Sequence, residues 1–126
     1  MKPYILDTSA IIALIKNETG ADIVKTHLKG SIMSSVNYSE AAAVLARKMP
    51  RDTIISILNK LIAEVIDFDQ LQAIEAGILY QQTKEHGLSF GDRACLTLAK
   101  IKDLPVLTAD KIWLDLNLDL EIKTIR

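Results

Sequence analysis

Short apolar blocks alternate along this chain with longer stretches whose apolar positions recur every three or four residues. Tyr4-Ile5-Leu6 reads as a short buried strand, and Ala10 to Ile15 as a helical turn or two behind it. Thr19 and Asp22 make a Thr-x-x-Asp start for a helix that Gly30 stops. Ile32-Met33-Ser34 is a second strand. Tyr38 to Lys48 is an alanine-rich helix ended by Pro50, and Arg51 to Ile62 a second helix, so the two form a hairpin. Val65-Ile66-Asp67 is a third strand. Gln70 to Glu85 is a long helix with Asp69 as its cap and Gly87 just past its end. Gly91 to Ile101 is another helix. Pro105-Val106-Leu107 is a fourth strand, Lys111 to Leu116 a short helix, and Leu120-Glu121-Ile122 an edge strand. Such alternation predicts an α/β domain, a mostly parallel sheet of about five strands flanked by helices. In open sheets of this kind ligands sit beyond the carboxyl ends of the strands, where the strand order reverses.

The length of 126 residues fits one domain, and 49% hydrophobic with 25% charged residues is a globular balance. Cys95 is the single cysteine, so no internal disulfide forms and nothing demands an oxidising compartment. Asp7 interrupts the first apolar stretch, against a secretory signal, and no run approaches the roughly 18 apolar residues of a membrane span. A cytoplasmic protein is expected. The net charge of −1 does not itself indicate nucleic acid. A metal nuclease is exempt from that rule, because bound cations reverse the sign of an acidic site towards phosphate. With the four acids below set apart, the rest of the chain carries about +3.

Those acids are Asp7, Glu40, Asp92 and Asp110. Each alone reads as well as a helix cap. Asp7 and Asp110 stand where an N-cap belongs, and Asn37/Glu40 and Ser89/Asp92 have the spacing of capping boxes. Convergence separates the readings: two acids end strands, and two lie on first helical turns entering from the same edge. Four carboxylates in one crevice repel unless cations lie between them. Oxygen-only ligation suits magnesium or manganese. No His or Cys metal pattern is present. His27 and His86 read as surface residues near helix C-termini, and Cys95 as a small buried hydrophobe.

The stretches Leu6-Asp7-Thr8-Ser9-Ala10, Asn37-Tyr38-Ser39-Glu40, Gly91-Asp92-Arg93-Ala94-Cys95-Leu96 and Leu107-Thr108-Ala109-Asp110, followed by Trp113, resemble the PIN-domain nucleases. Within these they resemble the VapC-type toxins of toxin–antitoxin pairs. Order, spacing and length all fit, so the resemblance covers residues 1–126 as a single PIN domain, a three-layer sandwich. It implies an endoribonuclease using magnesium or manganese, with Asp7, Glu40, Asp92 and Asp110 as catalytic and metal residues. It also implies a homodimer, and a small antitoxin that laps around the helical hairpin.

Asp7 and Asp92 are expected as core ligands, with Glu40 and Asp110 completing the cup through water. Thr8 and Thr108 are placed to steady the carboxylates. Arg93 is a candidate partner of Asp92 or of a phosphate, against an exposed helix residue with no such role. Trp113 is expected in the core, because its helix also supplies Ile112 and Leu116. An aspartyl phosphotransferase on a similar sheet needs an acid two residues after the first, where Ser9 stands. A non-catalytic PIN-like RNA-binding module would be expected to lose acids. A housekeeping PIN nuclease without an antitoxin has the same four. The hairpin bears on that choice: Ala41 to Ala46 run consecutively apolar, so one helix face enters the core and the other needs a cover.

Overall fold

The computed structural model describes residues 2–126. Five strands form one fully parallel sheet in the order β3-β2-β1-β4-β5. They are β1 (Ile5–Leu6), β2 (Ile32–Ser34), β3 (Glu64–Ile66), β4 (Val106–Thr108) and β5 (Ile122–Thr124). The helices are α1 (Thr8–Ile15), α2 (Ala21–Thr26), α3 (Ser35–Leu45), α4 (Arg51–Leu61), α5 (Gln70–Thr83) and α6 (Phe90–Lys102). Short 3₁₀ turns follow α5 at Lys84–His86 and β4 at Lys111–Asp115.

Period-two alternation sends neighbouring strand residues to opposite faces. Leu6, Met33 and Leu107 join one core with Ile11, Ala41, Leu45, Ile54 and Leu58 from α1, α3 and α4. Ile5, Ile32 and Val106 join the other with Leu79 of α5, Leu96 and Leu98 of α6, and Trp113. These are the two helical layers of a three-layer sandwich. Cys95 and Trp113 are fully buried, as expected. No helix among the described residues is long and apolar enough to cross a membrane.

Several boundaries differ from the pattern. Helix α3 starts at Ser35, because the Ser34 hydroxyl accepts from the Val36 amide and caps it there. Helix α2 is not opened by Thr19: Gly20 is its N-cap, at φ 97°, and no side chain caps it. The chain leaves α2 at His27, whose ring packs on Tyr4 with centroids 4.5 Å apart, well before Gly30. Strand β5 lies two residues later than Leu120–Ile122, in register Val106↔Ile122 and Thr108↔Thr124. The turn after β4 is 3₁₀ and not α.

Strand β1 lies at the centre of the sheet, with β2 on one side and β4 on the other. The chain first winds outward through β2 and β3, and then α5 and α6 carry it back past β1 to β4. The order therefore reverses beside β1, and a crevice opens beyond the ends of β1 and β4.

Candidate active site

Asp7 leaves β1 and stands at the start of α1, but its side chain makes no capping bond to that helix. Its Oδ2 accepts instead from Ser9 Oγ at 2.7 Å and Thr108 Oγ1 at 2.9 Å. Both hydroxyls are themselves held, since Ser9 Oγ accepts from the Ala109 amide and Thr108 Oγ1 from the Asp110 amide. Asp7 is 5% exposed. Burial is the main force pushing its pKa up to about 6; the charge of Asp92 adds to this, and the two hydroxyl bonds oppose it.

Glu40 is not part of a capping box with Asn37, because α3 begins at Ser35 and both residues lie inside it. Its Oε1 accepts from Thr8 Oγ1 at 2.8 Å and Asn37 Nδ2 at 3.1 Å. Asn37 is fully buried and also donates to the Gly91 carbonyl at 3.0 Å. One carboxamide thus ties the first turn of α3 to the start of α6.

Asp92 does form the predicted box: its amide donates to Ser89 Oγ, and its Oδ2 accepts from the Ser89 amide at 2.9 Å. Its pKa is raised, by burial first and then by the charges of Asp110 and Glu40. Asp110 caps the 3₁₀ turn through Oδ1, which accepts from the Ile112 amide. Capping and convergence therefore coexist at Asp92 and Asp110. All four acids line one cleft of about 450 Å³, with Thr8, Ser9, Glu18 and Arg126. In each acid the side-chain and capping bonds named above tether one oxygen, and the other is free of side-chain donors.

A pocket of about 290 Å³ between α5 and α6 and a groove of about 530 Å³ along α3 and α4 lie over apolar helix faces, and none of the four acids lines either. Among the described residues no three acids pack closely enough to form a ready metal cage. Neither ion pair among the described residues, Arg51–Asp52 nor Arg126–Glu18, involves any of the four. An all-oxygen donor set with no paired cation suits a divalent ion from solution.

Arg93 lies elsewhere. Its guanidinium donates to the Ala76 carbonyl of α5 at 2.9 Å and lies over the rings of Tyr80 and Phe90, so neither Asp92 nor the cleft receives it. Thr8 and Thr108 do hold carboxylates, as expected. Ser9 and Asn37 escaped the sequence reading. In the sequence Ser9 stands out only as the non-acidic residue two positions after Asp7, and Asn37 only as an apparent helix cap.

Gly91 is needed for a different reason. A Cβ there would run into the Glu40 carboxylate. We expect Gly91→Ala to displace that carboxylate and lower activity by about tenfold or more, as for a misplaced group. Gly77→Ala is the control, because nothing lies within 4 Å of its Cβ position. It should raise stability by about 0.5–1 kcal/mol through helix propensity. Cleavage rates and thermal melting of the two variants check both outcomes.

The PIN-domain family profile matches residues 4–117. The chain belongs to the PIN-domain family. A VapC ribonuclease of Mycobacterium bovis is 30% identical to this PIN domain over 115 residues, covering 82% of the chain and 87% of the relative. Ribonuclease VapC42 of Mycobacterium tuberculosis matches to the same extent. Among solved structures, a toxin–antitoxin complex from Klebsiella pneumoniae superposes with a TM-score of 0.76 at 18% identity, over 98% of both chains. DNA-bound VapBC from Salmonella typhimurium gives a TM-score of 0.75 at 17% identity, over 100% of both. At those identities the structural likeness establishes the fold.

Proposed function

We propose that this PIN domain is the ribonuclease toxin of a toxin–antitoxin pair. It hydrolyses RNA phosphodiester bonds with magnesium, or manganese, held over Asp7, Glu40, Asp92 and Asp110. The observation that carries the reading is the convergence of these four carboxylates on one cleft, each with one oxygen tethered and none paired with a base. The naming of its relatives as VapC ribonucleases supports RNA as the substrate, and an RNA substrate supports a cytoplasmic location.

A bound divalent ion supplies an activated water and offsets charge on the phosphate. The chain's own residues set the geometry. Thr108 and Ser9 both donate to Oδ2 of Asp7 and fix its rotamer, and Thr8 and Asn37 do the same at Oε1 of Glu40. Asp92 is held by its own helix start. Little reorganisation is then needed when the ion and substrate arrive, which is where preorganised sites gain rate.

The toxin reading rests on the hairpin. Helices α3 and α4 enclose an apolar groove of about 530 Å³, lined by Tyr38, Ala42, Ala43, Ala46, Met49 and Ile55 among others. Helix α4 buries Ile54 and Leu58 and leaves Ile55 39% exposed. The groove fits the apolar face of an antitoxin helix. A homodimer belongs to the same proposal: Leu71, Ile74 and Ile78 on α5 are about 60% exposed and offer a second copy an apolar face, which sedimentation equilibrium would read.

The experiment is cleavage of total RNA with mapping of the ends. Magnesium or manganese should support cleavage, chelation should stop it reversibly, and calcium should support little. Full activity in excess chelator would rule out the metal mechanism.

A further inference from the structure

Arg126 is the one cation lining the cleft among the described residues, against five acids: Asp7, Glu18, Glu40, Asp92 and Asp110. It arrives there by register. Strand β5 pairs with β4 so that Thr124 lies opposite Thr108, and the Ile125 amide donates to the Thr108 carbonyl at 3.0 Å. Thr108 is the residue that holds Asp7. The chain therefore runs past the sheet edge beside the acids, with Ile125 buried as an anchor and Arg126 beyond it.

The guanidinium is steadied but not consumed. Its Nη1 donates to the Thr19 carbonyl at 2.8 Å and lies 3.8 Å from Glu18 Oε1. Its side chain remains 38% exposed. An ion pair this long and this open is weak. Five N–H donors in a rigid fork leave several for a ligand, and that fork matches phosphate oxygens. RNA brings a run of phosphates into a cleft of like charge. A cation over the four acids would serve the scissile phosphate and leave its neighbours facing anions.

We infer that Arg126 binds a non-scissile RNA phosphate at the rim of the cleft and so positions the strand across the four acids. The inference rests on the nuclease reading above. Thr19 and Glu18 aim the side chain, and Arg126 takes no part in the chemical step.

The test uses the full chain silenced by Asp92→Asn, a fluorescein-labelled single-stranded RNA of mixed sequence, and anisotropy titrations across a salt series. Arg126→Gln is expected to weaken binding by about tenfold at low salt, as for loss of a charge-assisted bond. The slope of log affinity against log salt should fall by about 0.7, one phosphate contact on a single strand. Arg126→Lys keeps the charge and should keep the slope. In the unsilenced protein, Arg126→Gln should raise KM with kcat little changed and leave Mn²⁺ affinity unaltered. An unchanged salt slope in Arg126→Gln overturns the inference, and a fall in melting temperature beside it marks the residue as a latch to Thr19 only. If the parent protein neither binds nor cleaves RNA, the nuclease reading itself has failed, an outcome distinct from the first.

Discussion

Asp7→Asn is expected to abolish cleavage and, without metal, to make the protein more stable at neutral pH. Loss of the charge should cost on the order of 10³-fold in rate, about 4 kcal/mol of transition-state stabilisation. The gain in stability follows from linkage. The folded protein raises the Asp7 pKa from 3.8 to about 6. In that interval the folded state binds more protons than the unfolded one, so stability falls as pH rises from about 4 to about 6 and stays lowered above. The shift corresponds to about 3 kcal/mol at most. Asparagine removes the ionisation, and its Oδ1 can still accept from Ser9 and Thr108. Melting curves between pH 4 and 8 should therefore slope down in the wild type and lie flatter in the variant. Magnesium should restore wild-type stability at high pH and leave Asp7→Asn unmoved. A variant that melts lower than the wild type at pH 7.5 without metal would show the carboxylate to be a structural group.

Charge introduced into the hairpin groove is expected to release the partner and spare the nuclease. Ala43 is exposed on α3, and Ile55 faces the same groove from α4. A glutamate at either place would be buried without a counter-charge beneath an apolar helix. We expect Ala43→Glu and Ile55→Glu to weaken binding of the neighbouring gene's product on the order of 100-fold, about 3 kcal/mol. RNA cleavage should continue, because neither residue lines the acid cleft. Co-purification and cleavage assays run side by side check this. Unchanged partner affinity, or no partner at all, would favour a housekeeping nuclease.

The fold was legible because its signals are redundant. Each central strand opens on an apolar pair, and Asp69 and Ser89 cap the helices where the pattern places them. What failed were choices between equivalent neighbours. Ser34 and Asn37 can both cap α3. The sequence could not show that Asn37 has a better use inside the protein, donating to Glu40 and to Gly91 at once. Leu120-Glu121-Ile122 and Ile122-Lys123-Thr124 alternate equally well as strands, and only pairing with β4 selects the second. The four acids stand out in the sequence because Asp7 and Asp110 follow strands and Glu40 and Asp92 lie near the starts of helices. The hydroxyl that reaches Asp7 from Thr108 depends on β1 and β4 being neighbours, which is a property of topology. Arg93 is the opposite case: it adjoins Asp92 in sequence, yet α6 turns it towards Ala76 and the ring of Tyr80.

The centre of the sheet is filled in two instalments, with β2 and β3 laid on one flank of β1 and β4 on the other. Chains leave the ribosome N-terminus first. A nascent chain that has already delivered Asp7, Glu40 and Asp92 still has an open flank at β1, no Thr108 to hold Asp7, and no Asp110. On the proposed reading the cutting centre is completed only by the late arrival of β4, and for most of its own translation the chain would be harmless to the message that encodes it.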